Sequence, residues 1–284
     1  MITVWIREGF GNQLFTYACG YALAKERGEQ LTLDTTTLDC GSFRKLELLK
    51  TAVQYDKRIS YGRKEDLFSR AIWNKLRRRK AIGYGTIICK EQNPWIYDPT
   101  CFVKNKNIYL YGFWQSYHYF EKWEDDLRKM IVPNYDMPKK IQEQIQKVQQ
   151  KESVAVHIRR GDYVNIGCTL PLNYYEQVLK RIDEEMPNAK YYVFSDDPEF
   201  ARDSIGKYVD DAIFWEDQSE ESTLNDFFLM SACRHQVIAN STFSWWAAYL
   251  NKNSEKRIYA PVWGNWKEEF YPETWCKWNE RENG

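Results

Sequence analysis

Val154-Ala155-Val156-His157-Ile158-Arg159-Arg160-Gly161-Asp162-Tyr163 reads as a short buried strand that runs into a tight glycine turn. It delivers a histidine, two guanidiniums and a carboxylate to one strand end. Arginine is the side chain best shaped to grip a phosphate through two hydrogen bonds at once. In an α/β sheet, the carboxyl end of a strand is where a phosphorylated ligand binds. Neighbouring residues of a strand point to opposite sides, so one of Arg159 and Arg160 faces a ligand and the other is structural. His157 precedes Arg159 by two and shares its face. The plainer alternative is an arginine pair held by carboxylates, with Asp162 capping the turn.

Outward from this strand the second half alternates. Helices are expected over 173–185, from Pro198, over 222–233 and over 243–250. Strands are expected over 190–194, 212–215 and 236–239, with a last one at 257–260. The chain's start has the same form. Thr3 to Ile6 is β-prone, and Gly9-Phe10-Gly11-Asn12-Gln13 is a turn. Leu14, Tyr17, Ala18, Tyr21 and Ala22 recur at helical spacing, Arg27-Gly28 ends the helix, and Leu31 to Asp34 returns as a strand. Such alternation predicts parallel sheets covered by helices on both faces. Two Rossmann-like halves facing a central cleft are expected, 1–150 and 151–284, with the polar helix 141–151 as the bridge. Residues 35–110 are harder to read.

The 284 residues suit one large domain or two modest ones. Lys+Arg and Asp+Glu both number 40, which argues against a general nucleic-acid binder. The 12 Trp, 20 Tyr and 14 Phe include rings able to stack on sugars or bases, although core packing accounts for most of them. No charged-then-apolar leader opens the sequence, and no apolar run approaches the roughly 20 residues of a membrane-spanning helix. Seven scattered cysteines without C-x-x-C argue against structural zinc and a disulfide framework, and for a reducing cytoplasm. The basic stretch 70–80 reads as a solvated helix face, with weak contact to an anionic membrane surface as the alternative.

Two further strand ends carry polar groups. Phe194-Ser195-Asp196-Asp197 offers carboxylates, either as a helix cap or as acceptors from a base edge or sugar hydroxyl. Asn240-Ser241-Thr242-Phe243 opens a helix, where backbone N–H groups and hydroxyls cradle phosphate. Gly9 and Gly11 let the backbone approach a ligand, and Asn12 and Gln13 sit at that helix start. The sequence contains no D-x-D, the usual metal–nucleotide grip.

Taken together, GFGNQLFTYACGYALAKERG (9–28), HIRRGDYV (157–164), FSDD (194–197) and NDFFLMSACRHQVIANSTFSWWAAYLN (225–251) resemble the family-11 glycosyltransferases, the α-1,2-fucosyltransferases. The resemblance implies a GT-B-type fold, GDP-β-L-fucose as donor bound by the second half, and a galactose-terminated glycan as acceptor on the first. It implies inverting transfer to a galactose 2-hydroxyl without metal or other cofactor. Arg159 then contacts the donor diphosphate, and Asn12 approaches the diphosphate or the fucose. Asp162 is the nearest candidate base. Ser241, Thr242 and Phe243 form the phosphate and base wall, and one of Asp196 and Asp197 accepts from guanine. His157, Arg160, Gly9, Gly11 and Gln13 complete the binding set. Another nucleotide sugar or acceptor, or a non-catalytic glycan- or nucleotide-binding protein, are the competing readings.

Overall fold

The computed structural model describes residues 1–40, 42–60, 83, 85–209 and 211–279. The chain divides into two compact units, Met1–Tyr135 and Asp136–Gly284. The boundary corrects the expected division at 150/151. The helix Lys139–Gln149 packs on the helix Ser222–Ala232, so it belongs to the second unit and is not a bridge. The basic stretch 70–80 lies outside the described residues.

The first unit is a five-stranded parallel sheet in the order β3-β2-β1-β5-β4. Its strands are β1 (Ile2–Trp5), β2 (Leu31–Asp34), β3 (Lys57–Ile59), β4 (Ile87–Lys90) and β5 (Ile108–Tyr111). Helix α1 (Phe10–Arg27) follows β1 and buries Leu14, Phe15, Tyr17, Ala18, Tyr21 and Ala22. Gly28 ends it in the left-handed conformation, φ 61°, and its N–H closes onto the Ala24 and Lys25 carbonyls. A residue with a Cβ resists that conformation, which is why the sequence signal was readable there. β3 and β4 filled the part that was hard to read: each is short, and KRI and IICK lack an alternating pattern.

The second unit is a six-stranded parallel sheet in the order β11-β10-β9-β6-β7-β8. It comprises β6 (Ser153–Ile158), β7 (Lys190–Ser195), β8 (Ile213–Phe214), β9 (His235–Val237), β10 (Ile258–Val262) and β11 (Cys276–Asn279). β10, expected to be last, is followed by β11, which pairs with it in parallel register. Val154, Val156 and Ile158 of β6 pack against Tyr174, Tyr175, Val178, Leu179 and Ile182 of the helix Leu172–Glu185. Each such buried side chain contributes about 1.5–3 kcal/mol of apolar transfer. His157 lies on the opposite face, with its ring 5.8 Å from Phe243.

One cysteine expectation is corrected. Cys89 of β4 and Cys101 form a disulfide, with their Cα atoms 5.5 Å apart. The eleven residues between them loop back onto the strand, a closure that spacing alone does not reveal. Among the described residues, no helix is long and apolar enough to cross a membrane.

Candidate active site

In each sheet the strand order reverses at one point, and ligands of such sheets bind outside the carboxyl ends of the strands there. In the second unit the reversal lies between β6 and β9. Arg159 follows β6, and Asn240, Ser241 and Thr242 follow β9. In the first unit it lies between β1 and β5. Asn12 follows β1 and Gln115 follows β5.

Arg159 is held by two carboxylates: Nη2 lies 2.5 Å from Asp162 Oδ1 and Nη1 2.7 Å from Asp196 Oδ2. Its guanidinium carbon sits 5.3 Å from the centre of the Tyr163 ring. Of five N–H donors, those two contacts leave others for an anion. Arg160 is the structural partner. Its Nε donates to Asp197 Oδ2 at 3.0 Å, and its guanidinium carbon lies 3.4 Å from the Phe200 ring centre. That contact fastens the end of β6 to the helix Pro198–Ile205.

The two aspartates at the end of β7, one of which the sequence reading offered to guanine, are both engaged by the protein's own arginines and backbone N–H groups. Asp196 Oδ1 accepts the Arg160 backbone N–H at 2.8 Å, while Oδ2 holds Arg159. Asp197 caps the helix Pro198–Ile205 by accepting the Phe200 N–H at 3.2 Å, as well as pairing with Arg160. Gly161 makes the close approach possible, since a Cβ there would stand 2.6 Å from Asp196 Oδ2.

Across the reversal, Ser241 caps the helix Thr242–Tyr249 by accepting the Phe243 N–H at 3.3 Å. Thr242 is half-buried in the first turn. Tyr163 Oη donates to the Asn240 carbonyl at 3.2 Å, and Asn240 Nδ2 donates to the Cys168 carbonyl at 2.8 Å. These bonds tie the turn that carries Arg159 to the helix start that carries Ser241. His157 is buried, and burial, reinforced by the Arg159 charge, lowers its pKa to about 3. It is therefore neutral at physiological pH, and its Nδ1 has no hydrogen-bond partner among the described residues.

In the first unit the glycine turn separates into an open part at Gly9 and a buried part at Gly11 and Gln13. α1 begins at Phe10 with Gly9 as its cap, and a Cβ on Gly9 would meet nothing within 4 Å. Gly11 is buried. Gln13 is fully buried. Its Nε2 donates to the Glu8 and Lys45 carbonyls, both at 2.8 Å, and its Oε1 accepts the Leu48 N–H at 3.0 Å. Glu8 carries φ 60°, so the buried Gln13, expected in the binding set, is engaged in bracing a strained turn. Asn12 Oδ1 accepts from Gln115 Nε2 at 2.6 Å, which commits the amide oxygen and makes the N–H₂ the donor end of the side chain.

The sequence reading missed Gln115 and the buried Asp226 and gave no role to Tyr163 and Asn240, which lie within its quoted motifs. Gln115 stands at a strand end across the reversal from Asn12, a placement visible only once strand order is known. Asp226 accepts from Trp215 Nε1 at 2.9 Å, and burial, with Asp217 nearby, raises its carboxyl pKa to about 7. Trp215 follows β8, the edge strand, which stands two strands from the β6 that carries the arginine turn.

The model of the family described as "Glycosyl transferase family 11" matches residues 1–277. An alpha-1,2-colitosyltransferase of Escherichia coli is 31% identical over 305 residues, covering 98% of this chain and 98% of its own. A galactoside 2-alpha-L-fucosyltransferase of Caenorhabditis elegans is 27% identical over 305 residues, covering 100% and 81%. Among solved structures, the E. coli ADP-heptose lps heptosyltransferase II superposes with a TM-score of 0.52 at 12% identity, covering 97% of this chain and 89% of that one. That likeness is one of fold, and it agrees with a GT-B-type pair of parallel-sheet units. With the family match spanning both units, the chain belongs to glycosyl transferase family 11.

Proposed function

We propose that the protein transfers L-fucose from GDP-β-L-fucose, with inversion and without a metal, to the 2-hydroxyl of a galactose in a glycan acceptor. The observation that carries this reading is Arg159, fixed by Asp162 and Asp196 at the strand reversal and joined through Tyr163 and Asn240 to the Ser241 helix start. As the bond from the sugar C1 to the diphosphate oxygen breaks, negative charge grows on GDP. A preset guanidinium and helix-start N–H groups stabilise that charge without reorganising. Asp162 enters as the carboxylate that orients Arg159. In the first unit, Asn12, aimed by Gln115, supplies a donor to the reacting sugar or diphosphate. The donor role of the second unit and the acceptor role of the first belong to the same proposal. So does a cytoplasmic place for the enzyme, with residues 70–80 against an anionic membrane face; the basic composition of that stretch supports the contact, the Cys89–Cys101 disulfide weighs against a reducing compartment, and cell fractionation decides between them.

A second reading keeps the site and changes the sugar: the E. coli relative at 31% identity is named for colitose. One assay separates the two. Purified protein is incubated in EDTA with the GDP form of either sugar, with and without a galactose-terminated acceptor. GDP release and product linkage are measured. Acceptor-dependent release from GDP-fucose, giving an α-1,2 linkage, is the expected result. Release from the colitose donor alone would move the assignment to that sugar. Release that depends on added Mg²⁺ would overturn the metal-free step.

Gly161→Ala tests the geometry apart from the charge. The new Cβ displaces the Asp196 carboxylate, and Arg159 loses one of its two guides. Transfer is expected to fall by about tenfold or more, by analogy with other misplaced catalytic groups. Steady-state kinetics on the folded variant checks this, and wild-type rates would show that the Asp196 clamp is dispensable.

A further inference from the structure

The first unit carries a groove of about 900 Å³ that the site above does not use. It lies between the later turns of α1, where Leu23 and Glu26 line it, and residues 97–122. At 1.5 Å per residue, Glu26 is about 20 Å along α1 from Asn12. The groove is built in advance. Arg27 donates to the Phe102 and Val103 carbonyls at 2.9 and 3.1 Å, which fixes the far wall to the helix. The Cys89–Cys101 disulfide closes that wall's loop, and Tyr119 Oη accepts the Asp98 N–H at 2.8 Å beneath it.

The lining has a definite chemistry. Tyr97 is 46% exposed, and its ring lies 5.9 Å from that of His118 and 4.8 Å from that of Tyr119. Glu26 and Glu121 offer acceptors, while Lys104 and Lys122 offer donors. Carboxylates and cations balance along the lining, so a strongly charged ligand gains little. Ring faces beside mixed donors and acceptors suit a neutral polyhydroxylated chain, and the volume fits a bound oligosaccharide.

We propose that this groove binds a stretch of the glycan acceptor remote from the sugar that reacts, and so sets a preference for long acceptors. The proposal rests on the reading of the chain as a transferase to a glycan. Binding energy gathered far from the reacting atoms favours the extended substrate over the short one.

The test compares two acceptors with the full chain: a galactose-terminated disaccharide and a long glycan ending in the same disaccharide. Wild type is expected to show kcat/KM about tenfold higher for the long acceptor. Tyr97→Ala and Glu26→Gln should each bring the ratio towards one and leave the disaccharide rate unchanged. An unchanged ratio in both variants, an equal loss with both acceptors, or a wild type without preference would each overturn the groove and leave the transferase standing. Transfer to neither acceptor would overturn the transferase reading. The groove is then judged by calorimetric titration of the long glycan into Arg159→Ala protein. Binding that Tyr97→Ala abolishes sustains the groove as a glycan site, and absence of binding removes it.

Discussion

Arg159→Ala is expected to lower kcat/KM for transfer by roughly 10²–10³-fold, the range seen when one preset donor to a developing oxyanion is removed. The variant should remain folded, because Arg159 sits at a strand end, partly exposed, and the β6 core contacts lie on residues before it. Asp196 keeps the Arg160 N–H as a partner and Asp162 is open to water, so neither carboxylate is stranded. Arg159→Lys separates charge from shape. A lysine restores a cation, but not the planar fork that meets Asp162, Asp196 and a phosphate together. Its rate should fall between those of wild type and alanine. GDP affinity measured alongside the rate shows where the loss arises. A rate that falls more than GDP affinity marks an interaction that strengthens as the bond breaks. Wild-type turnover by Arg159→Ala would end the assignment.

Much of this arrangement was legible because the informative residues sit at strand ends, where residue type and position coincide. A buried β-strand followed by Arg-Arg-Gly-Asp marks a charged turn at a strand end, but both arginines lie beyond β6, so strand alternation does not set their directions: they turn to the adjacent Asp196 and Asp197. Helix caps were equally readable, since Pro198 and Gly28 each impose a backbone geometry. Contacts between distant segments were not readable. Whether Gln13 faces a ligand or braces its own turn depends on the Lys45 carbonyl and Leu48 N–H, more than thirty residues away. Asp196 and Asp197 looked like free acceptors because no local pattern shows that Arg159 and Arg160 come to meet them from β6. β3, β4 and β11 are mostly exposed or half-buried and lack the buried apolar run that marks the equally short β1 and β2. Asp226 lay inside a matched motif, yet its unusual environment comes from burial beside Trp215, a tertiary property.

Asp226→Asn is expected to stabilise the protein at pH 8 and to do so less as the pH falls. Burial is the main cause of the raised carboxyl pKa, with Asp217 adding to it and the Trp215 hydrogen bond opposing it. The folded pKa of about 7 stands above the ordinary unfolded value of 3.8, so the folded state holds a proton that the unfolded state has released across that window. Stability from this group is therefore greatest below the unfolded pKa, declines as pH rises, and is lost once pH passes the folded pKa. Three pH units at 1.36 kcal/mol each amount to about 4 kcal/mol by pH 8. Asparagine removes the ionisation and keeps an oxygen for Trp215 Nε1. Denaturant unfolding of wild type and variant at pH 5 and pH 8 should show the advantage of asparagine growing by about 3 kcal/mol over that interval. An advantage that does not change with pH would mean Asp226 is not the titrating group. The same protein, titrated with GDP, tells why an aspartate stands there. A variant that gains stability and loses GDP affinity would show a carboxyl kept for binding at the expense of the fold. Undiminished affinity would assign Asp226 to packing beside Trp215 alone.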